Sequence, residues 1–399
     1  MTTLQPHAIA SRRLQNLPAF IFTRLESERR ALEARGRDVI TLAVGDPDMP
    51  PPGFVVDALK RSASDPEAHR YNYGKGRPEL RAAVARFMRR RFGVHCDPNR
   101  HVQVLLGAKE GLAHLPLAVA DPGDAMLFPD PCYPVYRNAA VFTGLRPVPM
   151  PLTEAGGWTP DLAAIDPRDA HEARLLIINH PGNPAAATVG IDVYDRAARF
   201  ATAHDLVLVS DQAYSEIYFD DSHRPPSLWQ APAADLDATP AIEFHSLSKT
   251  FCMTGWRISF AVGREDVIDA LSNVKATHDS GAFTPIQIAA AEALDRYDDP
   301  AVAAYRDAFR RRRDALVPAL QRAGFHLPAP TAGFFCWGRC PDGWSSEDFA
   351  TRCLHEAAVI LVPGAAFGPA GEGWFRLALT VPEDRLAEAA ARLAALAWD

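Results

Sequence analysis

Five short stretches of this sequence carry groups that could together hold one small anionic ligand. Gly107-Ala108-Lys109-Glu110-Gly111 offers backbone N–H groups where an apolar run gives way to a helical pattern, which suits a phosphate dianion. Ser246, Ser248 and Arg257 add hydroxyl and guanidinium donors for the same anion. Asp211 follows the apolar run Leu206-Val207-Leu208-Val209, so its carboxylate should sit in a partly buried cleft, ionised only beside a cation. A protonated pyridine nitrogen is such a cation. Lys249, in a crowded cationic neighbourhood, should lose its proton readily and become an imine-forming nucleophile. Asn183 and Tyr214 can donate to a phenolic oxygen. Phosphate, pyridinium, phenolate and aldehyde are the four handles of pyridoxal phosphate. Singly, each residue has an ordinary reading as a cap, a turn or a surface group; their order along the chain makes the case.

The elements that must position these residues are legible as alternating short apolar runs and helical stretches. Strands are expected at Val102 to Leu106, Ala125 to Phe128, Leu175 to Ile178, Leu206 to Val209, Ile242 to Phe244 and Ile258 to Val262. Helices are expected at Lys109 to Val119, Val193 to His204 and Val267 to Val274. This is the pattern of an α/β fold, a mainly parallel sheet sandwiched by helices. The candidate residues fall just after the strands, where open α/β sheets form their ligand crevice. After about residue 290 the character changes. A long helix from about Val302 to Ala323, with Pro318 as a kink, precedes FFCWG, AVILV and WFRLALT, which read as strands, and a final Ala/Leu helix. The expected division is an N-terminal arm at 1–44, a large cofactor domain at 45–290 and a smaller α+β domain at 291–399. A helix near Phe20 to Arg35 in the arm should pack on the smaller domain.

Composition narrows the class further. At 399 residues the chain exceeds one ordinary core, and its net charge of −7 with no long basic block argues against a nucleic-acid surface. The opening MTTLQPHAIASRR lacks a signal-peptide core, and there is no apolar run of membrane-spanning length, so a cytoplasmic protein with no membrane partner is expected. The six cysteines show no CxxC pair. Cys336 and Cys340 read as buried thiols, and no metal site is expected.

From GDPDMPPP (Gly45 to Pro52) to FRLALT (Phe375 to Thr380), the sequence resembles the fold-type I, class I/II aminotransferases. The most specific segment is HSLSKTFCMTGWRISFAVG at 245–263, where a Lys preceded by Ser-x-Ser is followed eight residues later by Arg. YNYGKGRPELR, LLGAKEGLAHLPLAVADPGD, DPCYPVY and HDSGAFTPIQ look closest to the LL-diaminopimelate aminotransferase branch. The resemblance implies that Lys249 forms the Schiff base and moves the Cα proton, and that Asp211 pairs with the pyridine nitrogen. It further implies that Asn183 and Tyr214 contact the 3-hydroxyl while Tyr133 stacks on the ring. The phosphate would lie among the backbone of Ala108 and Lys109, with Ser246, Ser248 and Arg257, and Tyr71 would reach in from a second subunit. Arg376 would clamp the substrate α-carboxylate, with Asn183 and the Gly45 backbone nearby. Where the family reads Asn-Asn-Pro-Thr-Gly, this chain has Gly182-Asn183-Pro184-Ala185-Ala186, which keeps the cofactor contact and leaves loop shape and reaction type open.

The implied activity is ping-pong transfer of an α-amino group from an amino acid to a 2-oxo acid, on diaminopimelate or another substrate with a polar distal group, in a homodimer with shared active sites. A second reading is a specialised pyridoxal-phosphate cyclase, dehydratase or dioxygen-dependent oxidase, which would share every cofactor-binding residue. A non-catalytic regulator is a third, but the stretch before Gly45 has no helix-turn-helix pattern.

Overall fold

The structure, a computed structural model, describes residues 9–17 and 21–398. Phe20, at the start of the expected N-terminal helix, and the first eight residues of MTTLQPHAIASRR lie outside them. The twelve strands among the described residues are β1 (Ile40–Thr41), β2 (Val102–Leu105), β3 (Ala125–Asp130), β4 (Arg146–Pro151), β5 (Ala173–Asn179), β6 (Val207–Asp211), β7 (Ala241–Ser246), β8 (Ser259–Gly263), β9 (Phe335–Arg339), β10 (Val359–Ile360), β11 (Val362–Pro363) and β12 (Trp374–Ala378). Seven of them form the main sheet, in the order β2-β8-β7-β6-β5-β3-β4. Only β8 runs against its neighbours.

Both faces of this sheet are apolar because helices cover both. Along β5, Leu175 and Ile177 join the core of the helices Ala108–Val119, Val135–Thr143 and Glu265–His278. Leu176 and Ile178, one residue out of phase, join the core of Gly53–Ala63, Pro78–Phe92, Ile191–Ala203 and Thr284–Asp295. The mainly parallel, helix-covered sheet expected from the sequence is the one observed.

Two strands were not anticipated, the two-residue β1 and the longer β4. Arg146-Pro147-Val148-Pro149-Met150-Pro151 forms β4 although it holds three prolines. It pairs only with β3, at the edge of the sheet. Prolines at alternate positions direct their missing N–H groups to one side, and an edge strand has one side without a partner.

A second layer of structure follows residue 300. β11, β12 and β9 make a small antiparallel sheet, and β1 pairs with β10 in parallel. Phe309, Leu316, Phe349, Phe375 and Leu386 share its core, contributed by the helices Pro300–Arg322, Ser346–Ala357 and Glu383–Ala394 and by β12. The helix Pro300–Arg322 continues through Pro318. Leu25 and Leu32, from the helix Ile21–Glu33, pack with Leu354, Ile360 and Phe367 of this layer. The helix Thr284–Asp295, which spans residue 290, places Ala289, Ala290, Ala291, Ala293 and Leu294 in the core of the main sheet, and Val302 of the following helix joins the same core. Cys336 and Cys340 are buried free thiols.

Candidate active site

The C-terminal edge of the main sheet collects the predicted residues. β5 ends at Asn179, β6 at Asp211 and β7 at Ser246. β8 starts where its neighbours end, Ser259 pairing with Ser246, so its reversed direction delivers Arg257 to the same edge.

Asp211 is deeply placed, 3% exposed. One oxygen accepts from the Tyr136 hydroxyl at 2.6 Å and the other from the Ala213 N–H at 3.1 Å. Burial raises its pKa above the usual carboxylate range against the pull of these donors. The same burial, with the Asp211 charge beside it, holds Tyr136 well above the usual phenol range. Tyr136 was not singled out in the sequence. It lies three residues after Tyr133 in DPCYPVY, at the start of the helix Val135–Thr143, and helical spacing was the available signal. The two rings meet edge to face, with centroids 6.0 Å apart.

Asn179 carries two tasks. Its Nδ2 donates to the Asp211 carbonyl at 2.9 Å, and its Oδ1 accepts from the Asn183 N–H at 2.9 Å. Asn183 is thereby fixed, and its Oδ1 accepts from Arg376 Nη1 at 2.7 Å. Arg376 Nη2 donates to the Ala43 carbonyl at 2.6 Å. The guanidinium lies 4.1 Å from the Phe335 ring centre and 4.7 Å from that of Phe367. Burial lowers its pKa to about 10. Tyr214 is wedged against Phe334 and Phe335, each with centroids at 5.4 Å, so the FFCWG strand of the small sheet helps build the site. Burial pushes the Tyr214 phenol up, while a hydrogen bond with Asn183 opposes it.

Lys249 sits in the short helix Leu247–Thr250, its Nζ donating to the Gly45 carbonyl at 2.5 Å. Burial lowers its pKa to about 8; Asp46 opposes this, while Arg257 and Arg376 add to it. Tyr133 is pushed up to about 12, chiefly by burial.

Gly107 and Arg257 meet just beyond the end of β2. Gly107 adopts φ +87°, and a Cβ there would fall 2.1 Å from Arg257 Nη2. Only a bare α-carbon lets the guanidinium lie this close to the residue before the helix start, where the N–H groups of Ala108 and Lys109 are found. Ser248 Oγ and Arg376 Nε are buried without a hydrogen-bond partner. Buried donors of this kind are normally satisfied, so both fit a ligand with acceptor oxygens. Asp211, with only neutral donors on its oxygens, fits a protonated ring nitrogen. These residues therefore match pyridoxal phosphate. Tyr71 stands apart on the surface, 75% exposed, with its ring 5.5 Å from that of Tyr73.

The loop after β5, where the chain departs from the family's residues, forms a closed turn. Residues 182–187 still close a tight turn, the Ala186 N–H donating to Gly182 and the Gly182 N–H to Ala187. Ala186, at the position of the family's Gly, adopts φ +53° and is 4% exposed. A left-handed alanine costs about 1–2 kcal/mol, and the added freedom of an unfolded glycine returns about 0.4–1. Losing the buried Ala186 methyl costs about 0.8 kcal/mol, so Ala186→Gly should leave stability within about 0.5 kcal/mol of wild type with activity unchanged. A loss of more than about 1.5 kcal/mol in denaturant unfolding would show that the methyl's packing, and not the left-handed backbone, dominates at this turn.

Comparison with known proteins agrees with this geometry. The family model of aminotransferase class I and II matches residues 37–393. An LL-diaminopimelate aminotransferase of Oleidesulfovibrio alaskensis is 43% identical over 384 residues, covering 96% of this chain and 98% of that protein. The substrate-bound structure of BacF from Bacillus subtilis superposes with a TM-score of 0.91 at 31% identity, over 97% of this chain and 98% of that one. A probable N-succinyldiaminopimelate aminotransferase from Thermus thermophilus gives 0.88 at 32% identity, over 94% and 99%. With the family model spanning nearly the whole chain, this protein belongs to the class I and II aminotransferases and is a pyridoxal-phosphate-dependent enzyme that transfers amino groups.

Proposed function

We propose that this enzyme transfers an α-amino group of LL-diaminopimelate, or of a close analogue with a charged distal group, to a 2-oxo acid, using the pocket built around Lys249. The observation that carries the reading is the buried Arg376. It has five N–H donors, and its bonds to Asn183 and Ala43 leave others for a carboxylate. The choice of diaminopimelate is supported by relatives of that name, 43% identical along nearly their full length.

In this reading Ala108, Lys109, Ser246, Ser248 and Arg257 hold the cofactor phosphate. Asp211 keeps a proton on the ring nitrogen, Asn183 and Tyr214 donate to the ring oxygen, and Tyr133 stacks on the ring. Bound there, pyridoxal phosphate supplies an electron sink for negative charge developing at the substrate α-carbon. The Lys249 amine, its pKa lowered to about 8, takes the α-proton and returns it on the other side of the shift. Gly45 lies against that amine, and Arg376 orients the α-carboxylate with Asn183. We further assign residues 45–295 to a large cofactor domain, residues from 300 onward with the N-terminal arm to a small domain, and the enzyme to the cytoplasm. Among the described residues no helix is long and apolar enough to cross a membrane.

Arg376→Ala removes a buried charged clamp, a loss of about 2–5 kcal/mol or roughly 30- to 4,000-fold. It should lower kcat/KM for amino acids by at least that lower figure and leave pyridoxal phosphate affinity near wild type. Equal losses in both would move Arg376 out of the substrate site.

Exposed Tyr71 and Tyr73 support a homodimer in which Tyr71 completes the partner's phosphate site. Mixing inactive Tyr71→Ala and Lys249→Ala proteins should restore activity, because one site of each hybrid dimer would be intact. No recovery in a demonstrated hybrid would exclude the shared site.

The substrate assignment is tested by stopped-flow absorbance of the holoenzyme mixed with LL-diaminopimelate, glutamate, aspartate and lysine, with dissolved oxygen monitored. The expected result is fastest amino transfer from LL-diaminopimelate with no oxygen uptake. A strong preference for aspartate, or oxygen loss, would reject it.

A further inference from the structure

Beside the residues assigned to the phosphate lies a half-buried charge cluster, centred on the buried Lys275, that the reaction does not use. Glu110 is the third residue of the helix Ala108–Val119, so its carboxylate stands beside the N–H groups assigned to the phosphate. Its Oε2 reaches back to accept the Leu106 N–H at 3.0 Å, bracing the turn from β2 into the helix. An acidic side chain here satisfies the backbone, yet its charge repels the anion the same helix end must bind.

Lys275, from the helix Glu265–His278, answers that charge. It is 3% exposed, and its Nζ donates to Glu110 Oε2 at 3.0 Å and to Asp279 Oδ2 at 2.9 Å. Glu110 Oε1 lies 2.6 Å from His114 Nδ1, and the His114 ring is 4.8 Å from that of His278. Asp279 in turn accepts the Gly281 N–H at 2.8 Å. Gly281 has φ +85° and packs so closely on the chain that an added Cβ would meet the Asn72 carbonyl at 2.3 Å, one residue from Tyr71. The lysine thus ties the phosphate turn to the loop carrying Tyr71. The ammonium stands between the two carboxylates, in the place a metal ion could otherwise take among Glu110, His114 and Asp279.

We propose that Lys275 is a positioning residue for cofactor binding: it neutralises Glu110 so that this carboxylate can brace the Leu106–Gly107 turn without repelling the phosphate. The inference rests on the assignment of the cofactor phosphate to Ala108 and Lys109. A cation in this position acts through Glu110 and touches neither substrate nor cofactor.

The test is titration of the apoenzymes of wild type, Lys275→Met, Glu110→Gln and Glu110→Gln/Lys275→Met with pyridoxal phosphate and, separately, with pyridoxal, which lacks the phosphate, alongside thermal melting of each. Lys275→Met keeps the length of the side chain and loses its charge. It should weaken pyridoxal phosphate binding by about tenfold or more, as expected for one uncompensated charge at close range in a partly buried site, and leave pyridoxal binding unchanged. The double variant should recover part of the lost affinity, since Glu110 beside the phosphate then carries no charge and only Asp279 is left without its cation. A purely structural ion pair would lower melting temperature and affect both ligands alike, with no recovery in the double variant, and that result overturns the proposal. Failure of wild-type protein to bind pyridoxal phosphate would instead overturn the cofactor-site assignment, so the two failures are distinguishable.

Discussion

Lys249→Ala is expected to reduce the rate of amino transfer by about 10⁴-fold or more, because one substitution removes both the covalent attachment of the cofactor and the group that moves the α-proton. Binding should persist, since Asp211 and the residues assigned to the phosphate are untouched, so the variant should copurify with cofactor lacking the visible absorbance of a lysine linkage. The wild-type apoenzyme adds a pH signature. Only the neutral amine attacks an aldehyde, and burial lowers the Lys249 pKa to about 8. The rate of covalent capture should therefore rise about tenfold per pH unit below that value and level off above it. A rate still climbing at pH 10 would mean an ordinary exposed lysine. Retention of more than about a tenth of wild-type turnover in Lys249→Ala would contradict a reaction centred on this residue.

Asp211→Asn carries the second large effect. The substitution preserves shape but removes the negative charge that stabilises a proton on the ring nitrogen. Breaking a buried charge pair costs about 3–5 kcal/mol, so a fall in kcat of roughly 10²- to 10³-fold is expected, at the lower end of the converted range because Asn still offers an acceptor. Stability should move the other way in the apoenzyme. The folded-state pKa of Asp211 is raised by burial, so the folded protein holds this proton more tightly than the unfolded chain. The ionised carboxylate then costs stability at pH values above its ordinary range, and Asn relieves that cost. The apo variant should melt higher than apo wild type at neutral pH, whereas saturating cofactor should stabilise wild type more than the variant. Wild-type turnover in Asp211→Asn would remove the carboxylate from the mechanism. A destabilised apo variant would instead show that its bonds from Tyr136 and Ala213 outweigh the burial of its charge.

Much of this enzyme is written locally in its chain. Apolar runs of strand length, each ending in a polar residue, placed Asn183, Asp211, Ser246 and Lys249 at one sheet edge, because strands of a parallel sheet end together. The Ser-x-Ser-Lys segment and the Arg eight residues later marked the cofactor without any structure. Three things needed the tertiary fold. The first is the edge strand β4, hidden by three prolines whose cost vanishes where one side lacks a partner. The second is the set of supporting contacts: Tyr136 on Asp211, Asn179 on Asn183, and Phe335 and Phe367 around Arg376. These join residues far apart in the chain, and no periodicity records which distant side chains meet. The third is charge compensation, as in Lys275 against Glu110, and backbone geometry, as in the left-handed Ala186 that keeps its turn without the family's glycine. Residue type and spacing determined the chemistry available, because they act within one strand or one helical turn. Packing decided which groups support it, because burial and partner choice depend on segments brought together only by folding.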